Sequence, residues 1–169
     1  MGLKPQDILV ALKLLSLPKG AWSYPQLAVA LFMSASEVHA SVQRATRSGL
    51  LQDNALHAPN RRALLEFLVH GIKYAFPAEH GRLTRGVPTA HAAPPLVGQF
   101  AATDALPPVW PDPEGTVRGE EFEPLYRSAP KAAREDPQLY EWLALVDAVR
   151  SGRARERELA VKELRSRLG

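Results

Sequence analysis

A mainly α fold is predicted by three features of the sequence. Two capping boxes stand in close succession near the N-terminus, apolar residues recur at helical spacing in five further stretches, and prolines crowd one segment between them. The expected order is an N-terminal helical unit over residues 1–58 and a long apolar helix over 59–76. An extended proline-rich arm over 77–113 and C-terminal helices over 114–169 complete it.

The first helix is expected from Pro5 to Leu17. Ile8, Leu12 and Leu15 line one face, Leu9 and Val10 widen it, and Asp7 in the first turn suits the helix dipole. Leu17-Pro18-Lys19-Gly20 is a stop and a turn, after which Trp22 is placed to seal the bundle.

Ser23 with Gln26 forms the first capping box, and Pro25 sits in the first turn, where its missing N–H costs nothing. Leu27, Ala28 and Leu31 mark the buried face of this short helix. Ser34 with Glu37 forms the second box, and Val38, Val42 and Ala45 are the inward residues of the helix that follows. Gly49 is placed to end it. Two capped helices across a short turn make a helix-turn-helix.

On Leu27-Ala28, Leu31, Met33-Ser34, Val38, Val42 and Gly49-Leu50-Leu51, this stretch resembles the DNA-reading half of MarR-like winged-helix regulators. The resemblance covers roughly the first third of the chain, and many winged helices share its pattern. Phe32 departs from it where a glycine often makes the turn, as does Ala45 where a larger apolar residue is usual. The resemblance implies that residues 1–58 are a winged helix-turn-helix that binds double-stranded DNA. Asp53-Asn54, a hairpin-type turn signal between the runs LLQ and ALH, marks a short wing.

With Val38, Val42 and Ala45 inward, helical spacing turns Ser36, His39, Ala40, Gln43 and Arg47 outward, with Arg44 near the boundary. Gln pairs with adenine and Arg with guanine in the major groove, while Ser and His are versatile. Arg44 and Arg47, towards the far end, are expected on phosphates, which give affinity without sequence information. Arg61 and Arg62 would either supply the phosphate contacts of a longer wing or simply begin the next helix at a solvated end. The candidate DNA-binding set is therefore Ser36, His39, Ala40, Gln43, Arg44, Arg47, Arg61 and Arg62.

Asn60 caps the next helix, expected to run to Phe76. Leu64, Leu65, Phe67, Leu68, Val69, Ile72, Tyr74 and Phe76 cover most of its circumference, which predicts packing on both sides and a homodimer interface, with His70 a hydrogen-bonded core residue. Eight of the fifteen prolines fall in residues 77–113, so neither helix nor regular sheet is expected there. Leu96, Val97, Phe100, Val109 and Trp110 are the expected anchors of an ordered arm, buried against the 60–76 helix. Further on, one or two helical turns are expected over Glu120–Ser128 and a short one over Pro130–Glu135. A helix follows from Asp136-Pro137 to Val149, ended by Ser151-Gly152. Leu159, Val161, Leu164 and Leu168 give the last helix its stripe, with its arginines on the exposed face.

No cysteine is present, which removes disulfides, thiolate zinc sites and cysteine nucleophiles and fits a reducing cytoplasm. No apolar run is long enough to predict a membrane span. Residues 1–50 carry a net +3, residues 114–149 a net −4 and residues 150–169 a net +4, which points to more than one kind of surface. His80 and His91, with Glu79 and Asp104 nearby, lack metal-ligand spacing, and no metal or other cofactor is expected. Neither a phosphate loop nor a nucleophile motif is present, and Glu120, Glu121 and Glu123 read as solvated charge, so no catalytic residue and no enzyme is expected. The sequence predicts a cytoplasmic, sequence-specific DNA-binding regulator, a dimeric repressor. The alternative is an antitoxin-like or other interaction protein that binds and controls a partner protein, a role compatible with repression of its own operon.

Overall fold

The computed structural model describes every residue except Met1, Lys19, residues 102–104 and Gly152. Lys19, Asp104 and Gly152, which entered the expectations above, lie outside the described residues. Helices α1 (Pro5–Ser16), α2 (Tyr24–Leu31) and α3 (Ala35–Arg47) form the N-terminal unit, followed by α4 (Arg61–His70) and α5 (Ile72–Ala75). Strands β1 (His80–Pro88), β2 (Pro108–Pro111) and β3 (Val117–Phe122) come next, and α6 (Ala129–Glu135), α7 (Pro137–Ser151) and α8 (Ala154–Leu168) close the chain.

The expectation of a mainly α fold is overturned by the strands. The protein is α+β, with eight helices and a three-stranded mixed sheet among the described residues. β1 pairs antiparallel with both β2 and β3, and β2 and β3 pair in parallel, so the three close on one another. Prolines forbid a ladder only where an N–H must be donated. Here Pro88, Pro108 and Pro111 stand at strand ends, and glycines occupy the tightest crossings. A Cβ on Gly86 would lie 1.9 Å from the Trp110 carbonyl oxygen, and one on Gly119 would lie 2.1 Å from that of Pro107. Glu120–Phe122, expected to be helical, is the last part of β3.

Two helices are buried around most of their circumference, and neither is the one expected. α1 buries Ile8, Leu9, Val10, Ala11 and Leu12 in succession, because α3 and α7 both pack on it. α7 buries every residue from Trp142 to Arg150, since α1, α6, α8 and the short 3-10 turn Ala90–Ala92 all meet it. By contrast, the helix expected over Asn60–Phe76 is broken at Gly71 and buries only the stripe Leu64, Leu68 and Ile72. His70 is exposed rather than in the core, and Tyr74 is 76% exposed. The all-round apolar face from which a homodimer was inferred is thus absent from this helix.

The proline-rich segment is anchored, but on α7 rather than on α4. Leu96, Val109 and Trp110 are buried, Phe100 is half-buried and Val97 is exposed. Trp110 Nε1 donates to Asp147 Oδ2 at 2.9 Å and Thr89 Oγ1 to the same atom at 2.7 Å. Arg150 Nη1 donates to Asp147 Oδ1 at 2.8 Å, and Arg150 Nε reaches back to the Phe76 carbonyl at 2.8 Å. Burial pushes the Asp147 carboxyl above its ordinary value, while Arg150, Thr89 and Trp110 pull against it. One buried carboxylate thereby fixes the sheet, the end of α5 and α7 to one another.

Candidate nucleic-acid interface

The helix-turn-helix is built from the residues that predicted it. Ser23 Oγ accepts the Gln26 N–H, which is the serine half of the expected capping box and the half that forms; Pro25 lies in the first turn, and Leu27, Ala28 and Leu31 are buried. The turn is made by Phe32 in place of glycine, with φ 54° and ψ 44° in the left-handed region. That conformation costs a non-glycine residue of the order of 1 kcal/mol. Phe32 remains 51% exposed.

Ser34 Oγ accepts the Glu37 N–H at 3.1 Å and Glu37 Oε2 accepts the Ser34 N–H at 2.9 Å, a complete capping box. The other carboxylate oxygen is taken by residues from far along the chain. Tyr126 Oη donates to Glu37 Oε1 at 3.1 Å and Arg127 Nη2 donates to it at 3.2 Å. The Ser34 backbone N–H holds the Glu37 carboxyl below the ordinary range, against its partial desolvation and with help from Tyr126 and Arg127.

Beneath α3, Arg44 meets Asp7 of α1. Arg44 Nε donates to Asp7 Oδ2 at 2.9 Å and Arg44 Nη2 to Asp7 Oδ1 at 2.8 Å, with both side chains buried. Asp7 Oδ2 also accepts the Lys4 N–H at 2.8 Å. The bonded Asp7 carboxylate holds the Arg44 guanidinium above its ordinary value. Arg44, expected on a phosphate, is instead buried beneath α3 in the two-pronged carboxylate fork, with Nη2 also donating to Ser41 Oγ, away from the exposed face of the helix.

The other expected residues of α3 share its outer face. Ser36, His39, Gln43 and Arg47 are exposed and Ala40 is half-buried. The His39 ring packs 4.9 Å from Tyr24, which itself stands edge-on to Trp22 at 5.1 Å. Arg62 is exposed at the start of α4, and Arg61 beside it donates to the Arg167 carbonyl near the end of α8.

The expected wing is corrected to a loop. Its only ladder element is a bridge between Leu51 and Pro59, with Gln52 N–H on the Ala58 carbonyl at 2.8 Å. Between them Asn54 Oδ1 accepts from Leu56 N–H and Ala58 N–H, so a side chain organises a turn where strand pairs were expected. Thr46 Oγ1 and His57 Nδ1 hydrogen-bond at 3.1 Å and tie this loop to α3.

Sequence reasoning missed Tyr24, Tyr126 and Arg127 as neighbours of α3. Tyr24 was within reach, since it stands at the first turn of α2 opposite α3. The other two carry no local signal, because a contact across about ninety residues follows from the packing of α6 on α2. Compared with protein-family models, curated proteins and solved structures, the chain matched none of them.

Proposed function

We propose that the protein is a DNA-binding transcriptional regulator that places α3 in the major groove of duplex DNA. The observation that carries this reading is the composition of the outer face of α3. Ser36, His39, Gln43 and Arg47 offer donors and acceptors suited to base edges and phosphates. The one acid in the helix, Glu37, has both oxygens occupied and a guanidinium alongside. A recognition helix needs this balance, because an unpaired carboxylate would repel the phosphates on either side of the groove. Gln43 is assigned to a base edge, and Arg47, Arg62 and Arg127 to phosphates.

The buried Asp7–Arg44 pair supports the same reading from below. It locks the pitch and rotation of α3 against α1, and base readout requires a helix held in one orientation. The test is selection from a pool of random duplexes, followed by fluorescence-anisotropy titration of the selected and scrambled sequences. Enrichment of a common sequence, bound at least ~1,000-fold more tightly than scrambled duplex, is the expected result. A pool that fails to converge contradicts it.

A further inference from the structure

A second site lies away from α3, where β1 and β3 meet the first turn of α8. A cavity of about 290 Å³ opens there, and two similar sets of side chains face it. In the first, His80 Nδ1 lies 3.6 Å from Glu120 Oε1 and its ring stands edge-on to Phe122 at 5.2 Å. In the second, His91 Nδ1 lies 3.4 Å from Glu156 Oε1 and its ring stands edge-on to Phe100 at 5.8 Å. Each set is thus a carboxylate, an imidazole and a phenyl ring, one drawn from the sheet and the other from the 80–100 segment and α8.

Each carboxylate has four lone-pair positions. At 3.4 and 3.6 Å the two imidazoles engage them loosely, longer than a charge-assisted hydrogen bond of about 2.8 Å. Acceptor capacity therefore stays open towards the cavity, bordered by aromatic faces. Both rings already carry a planar cation, Arg155 6.0 Å from the Phe100 centre and Arg150 5.6 Å from that of Phe122; of the two rings Phe122 is fully buried and Phe100 half-buried. Among the described lining residues two carboxylates face one guanidinium, that of Arg153. Among the described residues no three His, Asp or Glu side chains converge as metal ligands would, so the site suits an organic group.

We propose that this cavity binds a small planar organic cation of the amidinium or guanidinium type, or an aminated heteroaromatic ring. The ligand's N–H groups donate to Glu120 and Glu156, and its flat face packs beside the half-buried ring of Phe100. The proposal does not depend on DNA binding by α3, so each fails or stands alone.

Benzamidine serves as the probe in isothermal titration calorimetry of the full chain, with benzoate and benzyl alcohol as isosteric comparisons. Saturable one-to-one binding of benzamidine is expected, with none for the other two. Glu120→Gln and Glu156→Gln are each expected to weaken binding at least tenfold, which corresponds to about 1.4 kcal/mol. Thermal unfolding of both variants identifies any that is misfolded, and the remaining one then decides the result. Benzamidine that does not saturate, benzoate that binds equally well, or undiminished affinity in the folded variants would each overturn the proposal.

Discussion

Arg44 is clamped to Asp7 by two hydrogen bonds of 2.8 and 2.9 Å, so the most central arginine of α3 faces the protein rather than solvent. Cutting one partner of a buried pair leaves the other charge uncompensated, which typically costs about 3–5 kcal/mol. Arg44→Met and Asp7→Asn are expected to lower unfolding stability by that order in urea denaturation. The double variant Asp7→Leu with Arg44→Met should lose much less than the sum of the two single changes, because it removes both charges together. Additive losses would show that the pair is not energetically coupled.

The Glu37 carboxyl gives a pH-dependent term of known sign. Its value in the folded state lies below the ordinary carboxylate value of about 4.5. Its contribution is therefore fully present above that value and is lost as pH falls through the folded one. Wild type is expected to be more stable than Glu37→Gln at pH 7, and the gap should close below about pH 4. Urea denaturation of both proteins across that range measures the gap, and a constant difference would show that the carboxylate charge is not what Ser34, Tyr126 and Arg127 stabilise.

How the sheet closes predicts two very different outcomes for the same substitution. Gly86→Ala drives a methyl group to 1.9 Å from the Trp110 carbonyl oxygen and is expected to disrupt the packing of β1 on β2. Gly98→Ala meets nothing within 4 Å and pays only for its φ of +86°, of the order of 1 kcal/mol. Thermal unfolding should separate the two clearly, with Gly86→Ala much the worse.

Asp147 supplies a further stability test. Trp110→Phe keeps most of the ring volume but removes the donor to Asp147 Oδ2, leaving that buried oxygen with Thr89 alone. A loss of about 1–3 kcal/mol is expected in urea denaturation. Asp147→Ala should cost more, because it leaves the guanidinium of Arg150 short of its carboxylate inside the core.

What was legible in the sequence was local. The capping residues Ser23, Ser34 and Asn60 each accept the expected backbone N–H, because a cap is decided within four residues of chain. The outer face of α3 was legible for the same reason, through the spacing of Val38, Val42 and Ala45. The sheet was not: its prolines read as breakers, and only the paired register shows that they stand at strand ends with glycines at the crossings. Asp7 carried a sound local reading as a first-turn acid and still concealed its bond to Arg44, thirty-seven residues on. α7 was legible as a helix but not as one buried all round, because nothing in its sequence reveals how many neighbours will meet it.

The central claim is that α3 reads DNA, and the most direct measurement is the affinity of three proteins for selected and scrambled duplexes at two salt concentrations. For wild type, binding should fall steeply between about 50 and 200 mM salt as phosphate contacts are lost. Arg47→Ala should weaken both duplexes alike and make the salt dependence shallower by about one contact. Gln43→Ala should instead weaken only the selected duplex, by about 1–3 kcal/mol, and relax preference at one base position. Equal effects of both substitutions on both duplexes, or affinity that neither salt nor substitution alters, would contradict the account.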